Sequence, residues 1–281
     1  MAILKMTSPL NQTIRISMIF SRLLKLQYCC LILLVISANG FAFDETAFID
    51  DITQAKELFA QGEHDSAIKY WEGKRSDYAG QEGHYEYELG ILYSRLKAFD
   101  KAEKIFQKGL ELNSKYPRIY VGLSNVYLWT GRFDKSSSLL DDMINAYPEV
   151  WLSYYSKAHQ EYQLKNYKAA KELSEVALSK QTNAKSYYML ARSSFELNEP
   201  RTVISAIENA INLEPNYLAN LSAMKIYAVS LASEGLYDQA IIAIEEVKKQ
   251  NEQAADDEEL DKLLQELKNP EKKNGETQQF N

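Results

Sequence analysis

One spacing recurs through most of this sequence: a small or short apolar residue returns at intervals of 35, 34, 34, 33 and 37 residues. The members of this series are Ala67, Ala102, Ser136, Ala170, Val203 and Ala240. A second series with the same intervals lies twelve residues earlier in each unit and consists of Ala55, Gly90, Ser124, Ala158, Ala191 and Ala228. Such periodicity predicts a stack of similar units, each of which contacts mainly its neighbours.

Turn signals divide each unit into two segments. Three residues ahead of the first series stand His64, Phe99, Phe133, Tyr167, Pro200 and Tyr237, and Gly62, Gly131 and Gly235 precede three of them. Pro117, Pro148 and Pro215 separate successive units, because proline cannot continue a helix. We therefore predict two antiparallel helices per unit, held close by the small residues. The space between units is filled by the turn aromatics and by large residues seven places on, namely Trp71, Phe106, Leu140, Ile207 and Ile244.

The repeat resembles the tetratricopeptide repeat family over residues 48–252. The best matches are ELGILYSRLKAFDKAEKIFQKGLEL from Glu88, GLSNVYLWTGRFDKSSSLLDDMI from Gly122 and AINLEPN from Ala210. The resemblance implies an all-α, right-handed α-solenoid of about six helix-turn-helix repeats. Departures occur at Ser174, where a large apolar residue is expected, at the Pro200 turn and in three extra residues before the sixth unit. They place only local packing in question.

The first 42 residues resemble a secretory signal peptide. An apolar run of thirteen residues, Leu26 to Ala38, follows several basic residues and no acid. Gly40 and Ala42 suit cleavage before Phe43, although translation from Met18 would give a more compact signal. The run is shorter than the ~20 residues of a spanning helix, so we expect an exported, periplasmic protein. An inner-membrane protein anchored by an uncleaved signal is the alternative.

The remaining chain divides into three further regions. We predict a solenoid over residues 43–252, a capping helix within 253–268 and a disordered tail over 269–281. The capping segment carries Leu260, Leu263, Leu264 and Leu267 on one helical face. Both cysteines leave with the signal, so neither a disulfide nor a thiol nucleophile is expected in the mature chain. The formal net charge of −7 argues against nucleic acid or an anionic membrane as a partner.

The sequence contains no recognisable catalytic motif. It lacks a glycine-rich phosphate loop, paired histidines at metal-binding spacing and a serine between glycines. His84, Glu86 and Glu88 lie two apart and would point to different sides of a helix, and His64 falls in a predicted turn. Glu161 and Glu172 are acids without further support as a catalytic pair. We therefore predict a protein that is not an enzyme and that has no cofactor and no metal site.

The unusual feature of the composition is its 19 tyrosines. By repeat register Tyr93, Tyr127 and Tyr227 belong to the packed face of the first helices, and Tyr167 and Tyr237 to the turns. The opposite face, which lines a concave groove in the family, is aromatic and basic. Its predicted partner-binding residues are Tyr87, Arg95, Arg118, Asn125, Trp129, Tyr155, His159, Tyr162, Lys185, Tyr188, Arg192 and Phe195. Exposed aromatics and arginines favour recognition, although these aromatics could instead pack on one another across units.

Two functions fit this surface. The first is a non-catalytic adaptor that binds a protein or peptide segment during assembly of an envelope or secretion complex. The second is a carbohydrate-binding accessory protein in polysaccharide export, in which aromatic rings stack on sugars and basic residues meet uronic acids. Some relatives hold a terminal carboxylate with five defined residues, of which only Asn125 and Lys185 agree here, so that activity is not carried over.

Overall fold

The computed structural model describes residues 44–112 and 116–268. These residues fall into two compact units, one ending at Gln81 and the other beginning at Glu82. The predicted signal peptide, its Phe43 cleavage site, the alternative start at Met18 and the predicted tail 269–281 lie outside the described residues. Within the described residues, no helix has both the length and the apolar character needed to cross a membrane.

The described regular structure consists of helices. The first unit contains α1 (Glu45–Ala60), α2 (His64–Gly73) and a 3-10 helix (Arg75–Tyr78). The second unit contains α3 (Glu82–Arg95), α4 (Phe99–Leu112), α5 (Pro117–Trp129), α6 (Phe133–Ala146), α7 (Trp151–Gln163), α8 (Tyr167–Lys180), α9 (Ala184–Glu196), α10 (Pro200–Leu213), a 3-10 helix (Pro215–Ala219), α11 (Leu221–Ser233), α12 (Tyr237–Gln250), α13 (Glu252–Ala255) and α14 (Glu258–Lys268). The predicted all-α solenoid of helix pairs is confirmed: one pair lies in the first unit and five lie in the second.

Each pair is closed by the same backbone conformation. A residue with positive φ follows the first helix of every pair, at Gly62, Lys97, Gly131, Lys165, Asn198 and Gly235. In the third pair the Gly131 N–H donates to the Leu128 carbonyl at 3.1 Å, and the Arg132 N–H donates to the Tyr127 carbonyl at 2.8 Å. These bonds satisfy carbonyls that the end of a helix leaves open, and they reverse the chain within a few residues.

The small residues of both series are buried where the two helices of a pair approach each other. Of the large residues predicted to pack between units, Phe106 shows the fit most clearly. It is fully buried, and a β-carbon on either Gly90 or Gly122 would overlap its ring. Two glycines on consecutive first helices therefore make the space that this ring fills.

The expected role of the turn aromatics is wrong at two positions. Phe133 is 47% exposed and Tyr237 is 49% exposed. Each is the first residue of a second helix, beyond the end of the first helix of its pair, and about half of its surface stays open to solvent. The fifth turn is regular, since Pro200 occupies the first turn of α10, where its missing N–H costs nothing. The additional residues before the sixth pair form the 3-10 helix Pro215–Ala219.

The array ends in a capping helix. In α14, Leu260 and Leu267 are buried in one cluster with Ile244 and Val247 of α12. Lys248 pairs with Asp261 at 2.8 Å, and Lys268 pairs with Glu245 at 2.8 Å. The apolar contact covers the last pair, and the exposed ion pairs add little stability.

Candidate functional site

The twelve predicted partner-binding residues lie on the first helices of four consecutive pairs. Tyr87 and Arg95 are on α3; Arg118, Asn125 and Trp129 on α5; Tyr155, His159 and Tyr162 on α7; and Lys185, Tyr188, Arg192 and Phe195 on α9. Consecutive first helices contact one another from α3 through to α11. We call these residues the first-helix surface. All of them belong to the second unit.

Five of these residues form a tyrosine–arginine cluster between α7 and α9. Helical spacing aligns Tyr155, His159 and Tyr162 on α7, and Tyr188 with Arg192 on α9. The Arg192 Cζ atom lies 4.1 Å from the centroid of the Tyr162 ring and 5.7 Å from that of Tyr188. The Tyr162 hydroxyl donates to Glu196 Oε1 at 3.0 Å. The guanidinium is therefore held in place by cation–π contacts rather than left mobile.

Burial and the Arg192 charge determine protonation in this cluster. Burial raises the pKa of Tyr155 and of Tyr188, although the nearby guanidinium opposes both shifts. Burial, followed by repulsion from Arg192, lowers the pKa of His159. At neutral pH the tyrosines are therefore hydroxyl donors, the imidazole is neutral and the Arg192 charge dominates the cluster.

Sequence reasoning missed Tyr217, which extends the cluster from the 3-10 helix before α11. Its ring centroid lies 5.6 Å from that of Tyr188, with the rings edge to face. Burial raises the pKa of Tyr217 to about 12. A signal for it was present, because a tyrosine lies within two residues of the proline between units at Tyr116, Tyr147 and Tyr217.

A second aromatic cluster surrounds Tyr87. The centroid of the Tyr116 ring lies 5.8 Å from that of Tyr87 and 4.0 Å from that of His84. The sequence did not predict either contact. Burial raises the pKa of Tyr116 to about 12, although Arg118 opposes the shift. His84 thus packs on a ring, and the neighbouring Glu86 pairs with Lys108 at 3.2 Å, so both side chains have partners within the protein.

The remaining predicted residues do not join either cluster. Trp129 is 60% exposed and lies 5.8 Å from Phe99 at the turn end of α5. Arg95 and Lys185 are exposed, and Asn125 is partly buried. Phe195 packs partly against core residues, as Tyr87 and Tyr188 of the two clusters also do. The alternative that these aromatics pack between units therefore holds for part of the surface.

The sequence raised two candidates for catalysis, a metal site and the carboxylate pair Glu161 and Glu172. In residues 44–112 and 116–268, His, Asp and Glu form no group of three that could hold a metal ion. Glu161 accepts a hydrogen bond from Asn166 Nδ2 at 2.8 Å. Glu172 lines an open surface pocket of about 550 Å³ with Lys165, Tyr167 and Lys168.

A family model for the tetratricopeptide repeat matches residues 93–160. A repeat-containing protein from Methanocaldococcus jannaschii is 25% identical over 204 residues, which cover 69% of this chain and 34% of that protein. The chain thus spans about a third of the length of this relative.

Two solved structures share the fold. Yeast Tom70 has a TM-score of 0.64 and 16% identity, with coverage of 74% of this chain and 44% of that chain. A chain of the APC/C hetero-tetramer Cut9–Hcn1 has a TM-score of 0.59 and 16% identity, with coverage of 83% and 44%.

Proposed function

We propose that this chain is a member of the tetratricopeptide repeat family and a non-catalytic adaptor that binds an extended segment of a partner protein on its first-helix surface. Proteins of this family generally mediate protein–protein interactions. The observation that carries the proposal is Arg192, which is partly exposed and held 4.1 Å from the Tyr162 ring. Fixed arginines and tyrosines are the residue types that dominate binding energy at interfaces.

Preorganisation supports this role for the tyrosine–arginine cluster. A free arginine loses up to ~2 kcal/mol of side-chain entropy on binding. Here the contacts with Tyr162 and Tyr188 restrict the guanidinium in advance. The continuous run of first helices from α3 to α11 provides the length that an extended segment needs.

The compartment is part of the proposal. The apolar leader Leu26 to Ala38 supports export, and the absence of cysteine after Cys30 is compatible with an oxidising periplasm. We propose that the partner belongs to an envelope or secretion complex. The Cut9–Hcn1 hetero-tetramer supports the general idea that this fold serves in assemblies.

Photo-crosslinking in intact cells tests the proposal. A benzoylphenylalanine probe replaces Lys185, an exposed residue one turn before Tyr188 on α9, and a control probe replaces the exposed Glu175 on α8. We expect a protein to be captured from Lys185 and not from Glu175. The Tyr155→Ala and Arg192→Ala changes should abolish that capture while the helical circular dichroism is retained. Normal capture in both variants would contradict binding at the cluster.

A second candidate, an acidic polysaccharide, is favoured by one observation, the 60% exposure of Trp129. An open indole face can stack on a sugar ring. Titration with acidic oligosaccharides should then quench fluorescence in the wild type and not in Trp129→Phe. An unchanged spectrum at millimolar sugar would exclude this candidate.

A further inference from the structure

Arg192 is fixed but has no anionic partner within the described residues. No carboxylate among the side chains that the structure describes forms an ion pair with its guanidinium, although many other basic residues are paired. The Tyr162 ring covers the guanidinium, and the Tyr162 hydroxyl lies within hydrogen-bond reach. A guanidinium has five N–H groups around its rim. Most of them therefore remain available to an incoming acceptor.

The groups around Arg192 favour a ligand with a single negative charge. Glu196, which accepts a hydrogen bond from Tyr162 at 3.0 Å, places one carboxylate beside the cluster. A phosphate dianion is usually held by several arginines, and this carboxylate would repel it. A carboxylate, in contrast, fits the planar fork of one arginine through two parallel hydrogen bonds.

The aromatic contacts favour a peptide over a sugar at this point. The Tyr162 ring contacts Arg192, and the Tyr188 ring contacts both Tyr217 and Arg192. The centroid of the Tyr155 ring lies 5.6 Å from that of Trp151. Ring faces engaged in this way are poor platforms for stacking a sugar. Their hydroxyl groups can still donate to the carbonyls of a peptide backbone.

The place of the cluster in the array favours a side chain over a chain terminus. First helices continue on both sides, with α5 next to α7 and α11 next to α9. A bound segment can therefore pass Arg192 in both directions, with Trp129 and Asn125 on one side.

We propose that Arg192 is a binding site for the side-chain carboxylate of an internal aspartate or glutamate in an extended partner segment. This inference rests on the proposed function and adds the chemical class of the ligand. The carboxylate accepts two hydrogen bonds from the rim of the guanidinium, and residues beside it contact the tyrosines.

The test uses a random dodecapeptide library displayed on phage and selected on the full-length protein. Selected peptides are synthesised with amidated C termini, and their dissociation constants are measured by fluorescence anisotropy. We expect the peptides to share an acidic position. Replacing it with the matching amide should weaken binding at least tenfold, and Arg192→Gln in the protein should do the same. The two changes together should be no worse than either alone, because they remove one interaction.

Two further variants sharpen the result. Arg192→Lys keeps the charge and loses the planar fork, so its affinity should lie between those of wild type and Arg192→Gln. Arg201→Gln is the matched control, because Arg201 is paired with Glu234 and its side chain is 88% exposed; it should bind as wild type does. Circular dichroism verifies that each variant is folded.

The opposing outcomes separate the two proposals. Peptides that lack an acidic residue, bind Arg192→Gln normally and are weakened by Tyr155→Ala would overturn the carboxylate site and leave the adaptor function standing. If a peptide binds only when it is synthesised with a free C-terminal carboxylate and not in its amidated form, the site belongs to a chain terminus and the inference is likewise overturned. If no peptide of the library binds, both proposals are wrong.

Discussion

At the scale of single residues, Ser124 and Ser136 occupy facing positions of the two small-residue series. Their hydroxyls lie 2.8 Å apart and are buried. The equivalent pairs are apolar elsewhere, for example Ala158 with Ala170. The site therefore has room for two methyl groups as well as for one hydrogen bond.

This symmetry predicts a non-additive double-mutant cycle. Ser124→Ala or Ser136→Ala alone should destabilise the protein by about 1–2 kcal/mol, because the remaining buried hydroxyl loses its partner. The double variant should be within about 0.5 kcal/mol of wild type, since it removes both polar groups together. Urea denaturation measures all four proteins. If the losses of stability in the two single variants add up in the double variant, the hydroxyls do not depend on each other.

His159 makes stability depend on pH. Burial and the Arg192 charge hold its pKa in the folded protein below the ordinary value of about 6.5. The unfolded chain therefore binds the proton first as pH falls, so protonation favours unfolding. Stability is unaffected by this group at pH 8 and decreases as pH drops below about 6.5, by at most ~1.4 kcal/mol per pH unit.

We expect His159→Gln to remove part of this dependence. Between pH 7.5 and 5.0 the free energy of unfolding should fall less steeply in the variant than in wild type. His64→Gln is the control, because His64 lies on the exposed surface of α2. Parallel curves for wild type and His159→Gln would mean that the imidazole is not shielded from solvent in the folded protein.

At the scale of elements, the six turns share one backbone conformation but not one residue. Gly62, Gly131 and Gly235 adopt positive φ without a steric penalty, whereas Lys97 has φ 57° and Lys165 has φ 63°. A side chain in this region costs roughly 1–2 kcal/mol. Replacing either lysine with glycine would remove this cost. Glycine loses more conformational entropy on folding, which offsets part of the gain.

We therefore predict that Lys97→Gly and Lys165→Gly each stabilise the protein by about 0.5–1 kcal/mol. Lys104→Gly is the contrasting control: Lys104 is exposed in the interior of helix α4, where glycine should destabilise by about 1 kcal/mol. Chemical denaturation of the three variants separates the two effects. Destabilisation by all three would indicate that the lysines make compensating contacts at the turns.

These turns also explain what the sequence could and could not predict. The boundaries of the helix pairs could be predicted because they depend on residues that act on the backbone nearby. Examples are Gly131, which has positive φ, and Pro200, which lies in the first turn of a helix. The tyrosine–arginine cluster was only partly predictable. Helical register aligned Tyr155 with Tyr162, but the place of Tyr217 depends on the 3-10 helix that absorbs the extra residues before α11. The recurring tyrosine near each inter-unit proline marks Tyr217 in the sequence, but the periodicity does not predict the backbone of an insertion and therefore not the position of this ring.

At the scale of the whole molecule, the buried apolar residues are grouped by neighbouring helices. In the second unit, Phe106, Ile119 and Val126 belong to one cluster, and Ile244, Val247 and Leu260 belong to another. Stability in such an array is approximately the sum of contributions from each pair and its immediate neighbours. A cavity at one end should therefore loosen that end without loosening the other.

We predict reciprocal patterns of amide hydrogen exchange for two cavity variants. Phe106→Ala should cost about 3–5 kcal/mol and Ile244→Ala about 2–5 kcal/mol, since both side chains are fully buried. Phe106→Ala should accelerate exchange in α3–α5 and leave α11–α14 close to wild type, and Ile244→Ala should do the reverse. Each variant thus serves as the control for the other under identical conditions. Uniform acceleration across α3–α14 in both variants would contradict nearest-neighbour coupling and would mean that the five pairs of this unit open as a single cooperative body.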